Sequence, residues 1–172
     1  ANPNGYLDLF DDQKFVSDSV SKYFPESEGS TEGRFVSMLW SLELLARDQR
    51  YFSRAGHALA TLHKYASFIK MANKPLTSLR NICLPQWAFG GTDFHAKLSL
   101  LRSILDLHPD TGWLLVMELW PTRHLVMIPP HSPIFRDYET DTQQTPQNEW
   151  LEFETEIINL VSSVVAIDEA KW

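Results

Sequence analysis

Histidine is the residue type in this chain with the widest range of chemistry, because its imidazole exchanges protons near neutral pH and binds metals. The six histidines are scattered, and no HExxH pair occurs. His57 and His63 are six residues apart, which directs them to different faces of a helix. Asp93 and His95 lie close together in the chain, but no evident third ligand accompanies them. The single cysteine, Cys83, lies in an apolar stretch typical of a buried, inert thiol. We therefore predict no metal site.

Phosphate-binding motifs are missing from the sequence as well. It contains neither GxxxxGK[ST] nor GxGxxG, and the pair Gly90-Gly91 does not cradle a phosphate by itself. We predict that the chain binds no cofactor. Since the sequence holds no catalytic or metal-binding constellation, we also predict that it is not an enzyme.

Two arginine–histidine pairs support an alternative. Arg50 and His57 are separated by six residues, and Arg102 and His108 by five. This spacing resembles the R-x4-6-H motif of helical HEPN ribonucleases, which implies a histidine acting as acid or base beside the RNA 2′-hydroxyl. With eight arginines and six histidines in the chain, about one such pair is expected by chance. Neither arginine is followed by Asn, Asp or His. A helical ribonuclease is therefore kept as an alternative.

Positive charge is concentrated in the middle of the chain. The net charge of the whole protein is −7, residues 47–80 carry +6, and residues 137–172 carry −8. Arg47, Arg50 and Arg54 share one face if the helix is continuous there. We predict that these three arginines form an interaction face that meets an acidic surface, either the glutamate-rich helix after Pro146 or another part of the parent protein. Nucleic-acid binding is the alternative, and the negative total charge disfavours it.

Apolar residues recur at helical period along most of the chain. The pattern predicts helices at about 11–23, 31–46, 52–69, 77–84, 94–105 and 112–119, and one after Pro146. Asp8 or Asp11 is the expected cap of the first helix, and Asp110 or Thr111 that of the helix at 112–119. The connection Asp48–Arg50 is short, which favours an antiparallel hairpin, although one long bent helix is also possible. We predict an all-α fold of antiparallel helix hairpins in a short solenoid-like or bundle arrangement, with six or seven helices.

The same apolar pattern indicates how the helices pack. The stretch 112–119 is apolar nearly all round, so it should be central and buried. Residues 122–147 hold four prolines and should form an extended connection. Four tryptophans should fill gaps between helices: Trp40, Trp87, Trp113 and Trp120. A packed corner is expected from Pro75, Leu76, Leu79 and Leu84.

Length and composition predict one helical domain over residues 1–172, with an acidic segment and helix at 137–172. The chain begins without Met, so we expect a fragment of a larger protein. No apolar run is long enough to cross a membrane. A single cysteine fits a reducing compartment, so the expected location is cytoplasmic.

Segments within residues 6–138 resemble the helical region of large bacterial multidomain proteins, namely STAND-type NTPases or sirtuin-like effectors implicated in antiphage defence. The segments are 39–46, 51–54, 72–85, 108–115, 131–133 and 136–137. Gln86 separates Pro85 from Trp87, where that family commonly has Leu-Pro-Trp. The resemblance implies a non-catalytic scaffold or sensor segment, whose partners are other domains of the parent protein or a separate protein. It carries over no catalytic residue, because the enzymatic domains of such hosts lie elsewhere.

Overall fold

The computed structural model describes residues 2–23, 32–66, 73–86, 92–121 and 145–167. Within these ranges the protein forms eight helices and no strand, so the all-α prediction is confirmed. The number of helices is higher than the predicted six or seven. The helices are α1 Pro3–Asp11, α2 Gln13–Tyr23, α3 Glu32–Leu45, α4 Gln49–Ala66, α5 Pro75–Cys83, α6 Phe94–Leu107, α7 Pro109–Glu118 and α8 Gln147–Ile167. The predicted extended connection at 122–147 lies almost wholly outside the described residues.

Helix α1 is the element that the periodicity missed. Asn2 caps it, since its side-chain oxygen accepts a hydrogen bond from the Gly5 amide at 3.2 Å, and Pro3 occupies the first turn. The predicted cap of the next helix, Asp8 or Asp11, was wrong. Asp12 caps α2 instead, because its carboxylate accepts from the amides of Lys14 and Phe15. The sequence Asn2-Pro3 carried the missed start signal.

Helix α4 is at the centre of the described fold. It packs against α1, α2, α3, α5, α6 and α7. Small residues allow this close packing: a Cβ added at Gly56 would lie 2.5 Å from Leu100 Cδ2 in α6. The Asp48 amide closes the turn between α3 and α4 by donating to the Leu45 carbonyl, and the Asp48 carbonyl starts α4 by accepting from Tyr51 and Phe52. The structure therefore has two helices here and excludes the single long helix.

Helices α6 and α7 meet at His108, which ends one helix and precedes the other. Helix α7 begins at Pro109, three residues earlier than predicted, and neither Asp110 nor Thr111 is its N-cap. The expected burial on all sides was wrong, because Leu114 and Met117 are 45% and 48% exposed. Helix α7 packs against α4, α5 and α6, so one face lies at the surface.

The tryptophans divide between core and surface. Trp113 and Trp120 are partly buried against the core, whereas Trp40 is 57% exposed, so the gap-filling prediction was wrong for Trp40. Trp87 lies outside the described residues. Phe153 and Ile157 bury one face of α8, which contacts α6.

The predicted corner at α5 is confirmed. Leu79 is fully buried, Pro75 and Leu84 are buried, and Leu76 packs partly buried against the core. Among the described helices, none combines the length and apolar character needed to cross a membrane.

Candidate functional site

The three predicted arginines do not lie on one helix face. Arg47 belongs to the turn before α4 and is only 4% exposed. Arg50 is exposed and pairs with its neighbour Asp48 at 2.6 Å. Arg54 extends to α1, where it contacts Asp8 at 2.7 Å and Asp11 at 3.1 Å. The helix break at 46–48 therefore removes the continuous face that the spacing assumed.

The acidic surface that Arg54 meets is α1, not the glutamate-rich α8. In the described residues, α8 is tied instead to α6, through Arg102 and Glu156 at 2.6 Å. Each such exposed pair contributes about 0–1 kcal/mol, so these contacts mainly orient the helices. A role of Arg47, Arg50 and Arg54 in binding another molecule stays a prediction.

The fold brings together the histidines of the two arginine–histidine pairs. The rings of His57 and His108 are tilted, with centroids 5.9 Å apart. His57 Nε2 also lies 3.1 Å from the Ser103 hydroxyl of α6, while the buried Nδ1 has no hydrogen-bond partner in the described structure. The two arginines are paired with other residues, Arg50 with Asp48 and Arg102 with Glu156. The histidines thus form a cluster that the motif's arginines do not join.

A cleft opens beside this cluster, between α4 and the junction of α6 with α7. Its volume is about 380 Å³, within the usual range for small-molecule sites. We call it the junction cleft. It is lined by His63, Lys64, Leu107, His108, Pro109, Asp110, Thr111 and Leu114.

Two imidazoles, one ammonium group and one carboxylate make up the titratable lining of the junction cleft. Burial lowers the pKa of His108, and the nearby positive groups His57 and Lys64 lower it further. Burial likewise lowers the pKa of His63, with a smaller contribution from Lys74. Both imidazoles therefore favour the neutral form more than a free histidine does.

The first turn of α7 forms one wall of the junction cleft. His108 is the N-cap residue of α7, but its side chain makes no capping hydrogen bond. The first amides of a helix have no partner within the helix, and the helix dipole gives this end a partial positive charge. Pro109 has no N–H and the Gly112 amide donates to the His108 carbonyl, so the uncapped amides of this turn are those of Asp110 and Thr111.

Sequence reasoning found the histidines but not the cleft. Only the return of the chain at the α6–α7 junction puts His108 against His57 and beside His63. No local signal predicts this, because His108 is about 50 residues from both in sequence.

A second feature that the sequence analysis passed over is a buried lysine. Lys97 is 1% exposed and donates from Nζ to the Leu84 carbonyl at 2.7 Å. Burial lowers its pKa to about 8 and raises the pKa of the nearby Cys83 thiol to about 12. The predicted burial of the thiol is confirmed. Lys97 follows Phe94 and precedes Leu101 on the apolar stripe of α6, so its spacing did carry a signal of burial.

The described residues contain no group of three or more His, Cys, Asp or Glu side chains that could hold a metal ion. Comparison with protein-family models, curated proteins and solved structures gives no match for this chain.

Proposed function

We propose that this chain is a non-catalytic helical sensor segment of a larger cytosolic bacterial protein. The observation that carries the proposal is the junction cleft, a small-molecule-sized opening where basic side chains meet an apolar wall. Sites of this kind combine a few placed polar groups with apolar lining. The resemblance of residues 6–138 to the helical region of antiphage-defence proteins supports a host of that class.

The position of the junction cleft suits a sensor. A ligand there would touch α4, which packs against six other described helices, and the start of α7. It would thereby link the central helix to a helix that has exposed surface outside the cleft. Met117, which is exposed and does not line the cleft, provides apolar surface through which another domain of the parent protein could respond.

The test is a nuclear magnetic resonance titration of the ¹⁵N-labelled chain with a low-molecular-mass bacterial extract. We expect amide shifts concentrated at residues 63–64 and 107–114, and we expect the bound compound to be recovered unchanged by mass spectrometry. Leu114→Asp should abolish the shifts, whereas Leu151→Asp, at an exposed position in α8, should preserve them. Shifts absent from residues 107–114, or recovery of a chemically altered compound, would reject a non-catalytic sensor.

A helical ribonuclease is the second candidate, and one observation favours it. The fold brings His57 and His108 to within 5.9 Å, and two adjacent imidazoles can act as acid and base on the RNA 2′-hydroxyl. Cleavage of single-stranded RNA that is lost in both His57→Ala and His108→Ala would establish this function. His95→Ala, at an exposed histidine, is the matched control.

A nucleic-acid-binding module is the less favoured proposal. Arg50 and Arg54 are each held by carboxylates of the same chain, and a phosphate would have to displace them. Binding of duplex or single-stranded RNA or DNA would weaken steeply with salt. Micromolar binding that Arg50→Ala and Arg54→Ala abolish would support this module over the sensor.

A further inference from the structure

We propose that the junction cleft binds a small phosphate monoester, with the phosphate beside Lys64 and the first turn of α7 and an apolar group against Leu107 and Leu114. This assignment rests on the sensor function proposed above and names its class of ligand. It depends on three features of the cleft: its charge, its hydrogen-bond donors and its apolar wall.

Lys64 and the two imidazoles are the groups of the cleft that can hold an anion. Lys64 is exposed and lines the opening with His63 and His108. One acidic side chain, Asp110, also lines it and opposes anion binding. An anion close to the two imidazoles would favour their protonated forms and offset the positive neighbours that disfavour them.

The donors favour phosphate over a carboxylate. The cleft joins the Lys64 ammonium and two imidazoles to the start of a ten-residue helix whose N-cap side chain leaves its amides uncapped. These donors come from two separate walls. A phosphate monoester presents three terminal oxygens and up to two charges, so it can accept from both walls at once, and helix N-termini bind phosphate by the same interaction.

The apolar wall indicates that the phosphate carries an organic group. Leu107 and Leu114 are 67% and 45% exposed, which leaves their side chains open beside the charged part of the cleft. Inorganic phosphate would leave this surface in water and much of the 380 Å³ volume unused. Burying an apolar group there adds binding free energy that phosphate alone lacks.

The affinity should depend on pH. The basic groups near the imidazoles of His63 and His108 are His57, Lys64 and Lys74. The acidic group near them is Asp110, and Asp11 of α1 lies near His57. Since the free protein favours neutral imidazoles, binding of an anion should take up protons. The affinity for an anion of constant charge should therefore rise as the pH falls from 8 towards 6.

Isothermal titration calorimetry with 1-naphthyl phosphate tests the proposal directly. Inorganic phosphate and 1-naphthol should each bind at least about tenfold more weakly, because each lacks one half of the ligand. The sulfate ester, whose charge is constant over this pH range, should show the predicted rise in affinity towards pH 6. Vesicles containing phosphatidic acid separate a soluble ester from a lipid headgroup, and binding to vesicles alone would overturn the proposal.

Four variants locate the site. Lys64→Ala should weaken 1-naphthyl phosphate about tenfold, through loss of a charge-assisted hydrogen bond. Leu114→Ala should weaken the naphthyl ester but not inorganic phosphate. Asp110→Asn should strengthen binding about two- to fivefold by removing the opposing charge. Lys14→Ala, at an exposed lysine of α2, should change nothing. Circular dichroism confirms folding of each variant.

The outcomes separate the ligand class from the sensor function. Equal affinity in Lys64→Ala and the parent, or equal binding of naphthol and its phosphate, would reject the phosphate assignment. If 1-naphthyl phosphate fails to bind while the extract still shifts residues 107–114, the sensor stands and its ligand is of another class. If neither binds, both proposals fail.

Discussion

Gly112 sets the distance between α6 and α7, and replacing it tests the core of the described fold. A Cβ at this position would lie 2.7 Å from Leu105 Cα and 2.9 Å from Leu105 N. Optimal carbon contacts are about 3.5–4.0 Å, so the two helices would have to separate by about 1 Å. Both obstructing atoms belong to the backbone, and no change of rotamer relieves the contact. We therefore expect Gly112→Ala to fall at the upper end of overpacking costs.

The magnitude follows from two opposing effects. Overpacking costs about 1–3 kcal/mol, and alanine gains about 1 kcal/mol over glycine inside a helix. The expected net loss for Gly112→Ala is thus about 2 kcal/mol. In Gly56→Ala the new methyl meets the Leu100 side chain at 2.5 Å, and that side chain can move. Its net loss should be smaller, about 1 kcal/mol or less.

Urea denaturation followed by tryptophan fluorescence and circular dichroism measures these differences. Ser53→Ala and Ser99→Ala, at exposed positions of α4 and α6, serve as controls and should change stability by less than about 0.5 kcal/mol. If Gly112→Ala is about 1 kcal/mol more stable than the parent, helix propensity alone decides the outcome. In that case the close approach of α7 to Leu105 does not exist in solution.

Three further predictions concern single side chains. Arg54→Ala should reduce the free energy of unfolding by only about 0–1 kcal/mol. Amide hydrogen exchange should nevertheless become faster throughout α1, because Arg54 tethers that helix; unchanged exchange would contradict this. The pKa of Lys97 is about 8 in the folded protein and near its ordinary value of 10.5 in the unfolded chain. Between these values the unfolded chain binds more protons, so the free energy of unfolding should rise from pH 8 to 9. Lys97→Met should remove that rise in urea titrations; above pH 9 ionisation of the unfolded Cys83 thiol acts in the opposite direction. Trp113→Ala should reduce the free energy of unfolding by about 2–3 kcal/mol, below the 3–5 kcal/mol expected for a fully buried side chain, because Trp113 is partly exposed. An unchanged melting temperature would show that Trp113 does not pack against the core.

The pattern of the sequence was sufficient to predict most helices of the described fold. Periodic apolar residues and Pro or Asx start signals act between neighbours a few positions apart, so they can be recognised in the sequence alone. The burial of Cys83 and the corner at Leu79 followed from the same local information. Helix α1 was missed although Asn2-Pro3 marked its start, because a nine-residue helix shows few repeats of the apolar pattern.

Tertiary structure alone decided which charged and titratable groups meet. Arg54 pairs with α1 and not with a distant acidic helix, because α1 packs on α4. His108 reaches His57 because Gly112 and Gly56 allow α7 and α6 to approach their neighbours closely. Such contacts span about 50 residues and depend on how closely the helices pack. Local sequence patterns fix the helices, whereas the junction cleft exists only through the way those helices pack.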